Sequence, residues 1–265
     1  MTGGVLETRA LNASASVAYR GRWLRDALVA ALAGQFALSS ATDVAIGGCS
    51  AGGLIVYLNI DYLADKIAAV APQAKIHALA DAGWFLDHTD MNNKPFRTPL
   101  FQWGFDAWNA SSALSPACLS YYSAEPWKCI FAQYTAAFIR TPTFLLNSKF
   151  DTCQLNGCEL GMGDANAGWS KMSPAHQGIA VAYSQSFDAS LWASPFFSAP
   201  QHGGWVSTCL VHCDAGDAAW WSTLAPPRGG GGQPLTPAAA FDAWLTGKGS
   251  WWVDENPTPN VTKNC

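Results

Sequence analysis

Charge is scarce in this chain of 265 residues. Asp, Glu, Lys and Arg make up 13% of it and the formal net charge is −4, whereas soluble domains average about 25% charged residues. There is no basic excess to neutralise nucleic-acid phosphates or an anionic membrane surface, so neither partner is expected. No run of about 18 apolar residues occurs, which excludes a membrane-spanning helix from the expectation. No Cys-x-x-Cys pair occurs, and Cys209 and Cys213 have no second pair of their spacing. A zinc-type ligand set is therefore not expected, and neither is any other metal or cofactor. Residues 1–16 lack a basic stretch followed by an apolar run, so no signal peptide is visible.

Apolar material, by contrast, is plentiful. Hydrophobic residues reach 49% and aromatics 12%, which argues against disorder and fits one large core. The eight cysteines are many for a reducing compartment, and Asn12, Asn109 and Asn260 each begin an Asn-x-Ser/Thr sequon. Together they predict disulfides, glycosylation and a secreted, extracellular protein. Thirteen tryptophans are present. Trp84, Trp103, Trp108, Trp127, Trp205, Trp220, Trp221, Trp251 and Trp252 fall in loop-like stretches. Sugar stacking and ordinary packing are both open to them, with packing preferred.

Along the chain, residues 19–36 read as an amphipathic helix and residues 43–47 as a short strand. A glycine-rich turn follows at 48–53, then a helix over 54–67 and a strand over 75–80. Residues 88–127 read as irregular structure or a lid, and 129–139 as a helix. A third strand spans 142–147. Ser173-Pro174 caps a helix running towards Trp192. Residues 203–213 read as a loop, 226–234 as a flexible surface loop, and Thr236-Pro237 starts a last helix. Strand–helix–strand alternation in one domain, residues 1–265, predicts an α/β fold with a mostly parallel sheet.

One turn carries chemistry. Gly48-Cys49-Ser50-Ala51-Gly52 is a G-x-S-x-G pattern between an apolar strand and a helix. That setting lifts a serine hydroxyl above a sheet and leaves the Ala51 N–H as an oxyanion donor. Such a serine needs a base and an orienting acid. Asp151 follows the strand 142–147 and stands where the acid is expected. Among five histidines, His212 in a late loop is modestly favoured as base. His202 is the rival, with mobility expected from Gly203-Gly204 beside it.

Four segments bear a resemblance. They are residues 48–54, the run Asp81-Ala82-Gly83-Trp84-Phe85-Leu86-Asp87, Asn147 to Asp151 followed by Gln154-Leu155, and residues 207–213 around His212. In sequence and order they resemble the pectin acetylesterase family, which also holds the Wnt-deacylating esterase Notum. The resemblance runs from about residue 19 to 213. It implies an α/β-hydrolase three-layer sandwich, metal-free carboxylesterase activity, and a catalytic set of Ser50, Asp151 and His212. It also implies an acylated, pectin-like polysaccharide of the cell wall as substrate and a place in or near that wall; separately, a monomer is expected.

A Gly-Gly-Gly-Trp-Cys-like segment, typical of the family before the nucleophile, has no match here. The expectation is that the N-terminal strands and the second oxyanion donor are lacking. Two alternatives follow: a Notum-like protein deacylase, and an inactive carbohydrate-binding relative with half of its oxyanion hole missing. If Ser50 and His212 meet, their neighbours can form a Cys49–Cys213 disulfide. Cys118–Cys129 and Cys153–Cys158 are short-loop candidates. Trp84 and Phe85, just past the strand 75–80, are the candidate substrate-facing wall.

Overall fold

The computed structural model describes residues 9–10, 14, 16–213, 215, 225 and 234–260. A small antiparallel pair, β1 (Arg9–Ala10) and β2 (Ser16–Val17), precedes helix α1 (Gly21–Gln35). Strand β3 (Asp43–Cys49), helix α2 (Ala51–Ala68) and strand β4 (Lys75–Asp81) then form a β–α–β unit. Helices α3 (Arg97–Ala107), α4 (Pro116–Tyr121) and α5 (Ala132–Thr135) lead to β5 (Thr143–Ser148). Helices α6 (Thr152–Leu155), α7 (Pro174–Ala193) and α8 (Pro195–Ser198) precede β6 (Gly203–Ser207). Helix α9 (Pro237–Leu245) and β7 (Trp251–Val253) close the fold.

Strands β3 to β7 lie side by side in chain order, all parallel. Cys49 is in register with Asp81, Asp81 with Leu146, and Ser148 with Ser207. The carboxyl ends of four strands therefore share one edge, where open α/β sheets bind their ligands.

Strand β5 explains the layering. Its six residues are all buried, as expected of a parallel strand covered on both faces. Leu145 points into the core shared with α2 and α7. Phe144 and Leu146, one residue either side, point to the opposite face and pack with Trp205, Trp252 and Trp244 of α9. A period of two thus divides one strand between two cores, giving three layers. Among the described residues β3 pairs with β4 alone and alternates exposed with half-buried positions. Its Val44 and Ile46 face Val29 of α1 and Ile67 of α2.

Several expectations need correction. The stretch 88–127 is not wholly irregular: it contains α3 and α4. The helix expected over 129–139 breaks into α5 flanked by 3₁₀ turns. The loop expected over 203–213 begins with β6, five buried residues. Its glycines are closely packed in the strand. A Cβ on Gly203 would sit 2.6 Å from the Trp244 ring, and one on Gly204 2.4 Å from the Trp251 ring, so glycine here lets neighbouring indoles approach the strand. Strand β7 stands where no strand is expected. The caps at 173 and 236 do form: Ser173 Oγ accepts from the His176 N–H at 3.1 Å, and Thr236 Oγ1 from the Ala239 N–H at 3.3 Å. Asn12, Trp220, Trp221 and the 226–234 loop lie outside the described residues, save for residue 234 itself. No described helix is long and apolar enough to cross a membrane.

Candidate active site

Ser50 sits between the last residue of β3 and the first of α2, with φ 58° and ψ −121°. A non-glycine residue in this region carries strain of about 1–3 kcal/mol, which surrounding structure must hold. The Ser50 N–H donates to the Asp81 carbonyl at 2.9 Å, and the Ser50 carbonyl accepts from the Leu54 N–H at 3.0 Å. Close backbone approach completes the clamp. A Cβ on Gly48 would lie 2.6 Å from the Gly52 backbone, and one on Gly53 would lie 2.2 Å from the Asp81 oxygen. The Ser50 side chain makes no capping bond to α2, so its hydroxyl is not consumed by the helix. The Ala51 N–H lies in the first turn, where backbone donors lack partners inside the helix.

Asp151 lies just past β5 and its side chain is 1% exposed. Its Oδ1 accepts the N–H groups of Cys153 at 2.8 Å and Gln154 at 3.1 Å, which locks the carboxylate as the cap of α6. Its Oδ2 is left for the Nδ1 of His212, 2.7 Å away. In a neutral imidazole this bond places the proton on Nδ1 and makes Nε2 the acceptor. The segment bearing His212 is fastened to the same edge. The Lys149 N–H donates to the Ser207 carbonyl at 3.0 Å and the Thr152 N–H to the Val211 carbonyl at 3.3 Å. Cys213 forms a disulfide with Cys49 at a Cα separation of 5.5 Å, across 164 residues of sequence. The immediate neighbours of Ser50 and His212 are thereby covalently joined. Cys118–Cys129 and Cys153–Cys158 also pair.

The rival base lies elsewhere. His202 precedes β6, at the amino end of the sheet, and is 1% exposed. Its Nδ1 accepts from the Thr143 N–H at 3.3 Å, its Nε2 donates to the Ile139 carbonyl at 3.2 Å, and its ring stacks on Phe196. Burial lowers its pKa from 6.5 to about 4. This is a neutral structural imidazole.

Ser50 and Ala51 open onto a cavity of about 290 Å³. Its wall is formed chiefly by Leu54, Leu58, Phe85, Phe101, Trp108 and Ile130. Of the two residues expected to face substrate, Phe85 lines this cavity. Trp84 does not. It is fully buried, its indole donates to Ser190 Oγ at 2.9 Å, and its ring packs against Tyr57 and Phe196. Both residues lie past the end of β4, in an irregular stretch whose turn leaves only Phe85 on the cavity. Most of the other described tryptophans singled out above are likewise packed, although Trp103 is 53% exposed.

Among the described residues, one charged side chain lines the cavity, Arg97 at the start of α3. Its Nε donates to Glu159 Oε2 at 2.6 Å and its guanidinium lies 3.9 Å from the centre of the Phe85 ring. Burial raises the Glu159 pKa to about 7, against the opposing pull of Arg97. Sequence reasoning missed both residues, because no motif ties position 97 to position 159.

Comparison with known proteins fits this geometry. A family model described as pectinacetylesterase matches residues 4–265. Pectin acetylesterase 7 of Arabidopsis thaliana is 26% identical over 97% of this chain and 65% of its own length. The human palmitoleoyl-protein carboxylesterase NOTUM is 31% identical over 52% of this chain and 29% of its own. The chain thus spans less than two thirds of these relatives. The structure of the Wnt deacylase Notum from Drosophila superposes with a TM-score of 0.81 at 19% identity, over 100% of this chain and 70% of that one, a likeness of fold. The central parallel sheet is that of an α/β-hydrolase-like fold, and the chain belongs to the pectinacetylesterase family.

Proposed function

We propose that the chain acts as a serine carboxylesterase that removes acetyl groups from a cell-wall polysaccharide such as pectin. The observation that carries this reading is the strained Ser50 elbow, joined through Cys49–Cys213 to a histidine held by a buried carboxylate. His212 Nε2 takes the Ser50 proton as Oγ attacks the ester carbonyl carbon. The carbonyl oxygen becomes an oxyanion, to which the Ala51 N–H donates. Collapse breaks the bond to the sugar oxygen, which leaves as an alcohol with the proton from His212. Water, deprotonated by the same imidazole, then releases acetate and restores Ser50. Asp151 holds the tautomer throughout. Family membership and the names of the plant relatives support the substrate class. The disulfides support an extracellular setting, and a monomer is sufficient because the proposed residues come from one chain.

A fluorophosphonate probe tests the reading. It should label folded protein at Ser50 and leave the Ser50→Ala variant unlabelled. Absence of labelling together with retained binding of acetylated pectin would replace the enzyme by a carbohydrate-binding relative. A second reading, a protein deacylase like the Notum relatives, is favoured by the apolar cavity, which exceeds the needs of a two-carbon acyl group. p-Nitrophenyl esters from acetate to palmitate separate the two: kcat/KM should be highest for acetate, and a maximum at longer chains would favour the second reading.

A further inference from the structure

Arg97 is out of place as mere wall material. Its side chain is 11% exposed and, among the described residues, it is the only charged side chain lining the Ser50 cavity. Burying a guanidinium among apolar groups is costly unless its donors are satisfied. Glu159 satisfies one of them, at Nε. Within the described residues the two terminal amino groups make no hydrogen bond, yet neither is sealed from solvent. The guanidinium is also held in one plane. Glu159, itself fully buried, grips one side, and the Phe85 ring lies under its face. The Cys153–Cys158 disulfide anchors the chain immediately before Glu159, and Cys158 itself borders the cavity. The result is a fork of N–H donors, fixed in direction, in a low-dielectric wall beside the serine. A planar fork of this kind matches a carboxylate through two parallel hydrogen bonds.

We propose that Arg97 binds a carboxylate of the substrate and is the residue that makes the site prefer a free-acid sugar to its methyl ester. The inference rests on the esterase reading for its consequence, but the binding event does not need the chemistry. Glu159 acts as a positioning residue: it orients the guanidinium without touching substrate. Two terminal N–H groups reaching one carboxylate favour a charged sugar over its methyl ester, because the ester has lost the charge and one full acceptor.

The test uses the full chain in the Ser50→Ala background, so that no turnover intrudes. Titration calorimetry compares an oligogalacturonate with the same oligomer as its methyl ester. The charged oligomer should bind at least about tenfold more tightly, a typical value for one buried charge-assisted pair. Arg97→Gln should abolish that preference and Arg97→Lys should keep part of it. Because Arg97→Gln leaves Glu159 buried without its partner, the double variant Arg97→Gln/Glu159→Gln provides a folded comparison with no stranded charge. If either Gln-bearing protein retains the preference of the parent, the assignment of Arg97 is overturned. Fluorophosphonate labelling of the otherwise identical Ser50 proteins runs alongside. Loss of labelling with the preference intact overturns the esterase reading and leaves Arg97 as an anion site. Labelling with no preference in the parent overturns Arg97 alone.

Discussion

Strand β6 separates two histidines, and their surroundings differ in every respect that matters for chemistry. His202 enters at the amino end and is enclosed by the Thr143 N–H, the Ile139 carbonyl and the Phe196 ring. Both of its nitrogens are used by backbone. His212 lies beyond the carboxyl end, is 18% exposed, and is gripped through Nδ1 by a buried carboxylate. One imidazole is a spacer between strands, while the other is oriented on the edge that carries Ser50. Strand direction is the reason. In a parallel sheet the amino ends receive chain from the helical layer, and their polar groups must be satisfied locally. The carboxyl ends release loops that can converge.

The sharpest way to break the comparison is to exchange the loss. His212→Ala should lower kcat by at least about 10³-fold, and Asp151→Asn by a similar factor through the wrong tautomer. His202→Gln, which can still accept from Thr143 and donate to Ile139, should change kcat/KM at pH 7 by less than about twofold. Steady-state kinetics on p-nitrophenyl acetate reads all three. Equal losses at 202 and 212 would end the distinction.

The next effect concerns the staple. Replacing Cys49 and Cys213 together by Ser removes a crosslink across 164 residues, which should cost about 2–4 kcal/mol in denaturant unfolding. It should also lower kcat more than KM rises, because the elbow and the base loop lose their register. A fall in stability with unchanged kcat would assign the disulfide to the fold alone.

The smallest effect sharpens the contrast between the two ends through pH. The folded pKa of His202 lies near 4, below the ordinary 6.5. Between these values the unfolded chain binds a proton that the folded chain does not, so stability falls as pH drops from 6.5 and levels off below about 4. Glu159, beside the cavity, works in the opposite sense. Its folded pKa lies near 7, above the ordinary 4.5, so the folded chain keeps a proton the unfolded chain releases. Stability therefore falls as pH rises from 4.5 and levels off above about 7. Each contribution is at most about 3 kcal/mol. Chemical denaturation from pH 4 to 8 should show the acid limb flattened by His202→Gln and the neutral limb flattened by Glu159→Gln. A variant that leaves its own limb unaltered would remove that residue from the account.

Much of this is legible in the sequence. The serine turn needs glycine at two backbone contacts, and both contacts are local in sequence or one strand away. The helix caps at 173 and 236 are local hydrogen bonds between neighbours. The Cys49–Cys213 pairing follows from supposing that Ser50 and His212 meet. What fails has a common cause. β6 and β7 are short and rich in glycine or tryptophan, and their identity depends on indoles from elsewhere packing against them. The Gly203-Gly204 pair looks like slack in the chain until Trp244 and Trp251 are seen against it. Trp84 and Phe85 are neighbours in an irregular stretch past β4, both buried in one core, and pattern alone does not say which one sees the cavity.

By itself, then, the sequence determined most of the elements, the serine turn and the family, because these rest on contacts between residues close along the chain or on motifs in a set order. Only the tertiary structure decided which aromatic lines the cavity and that Arg97 stands there gripped by Glu159. Those outcomes depend on where parallel strands end and on side chains 62 residues apart meeting across a buried ion pair. No local rule of periodicity or capping encodes such a meeting.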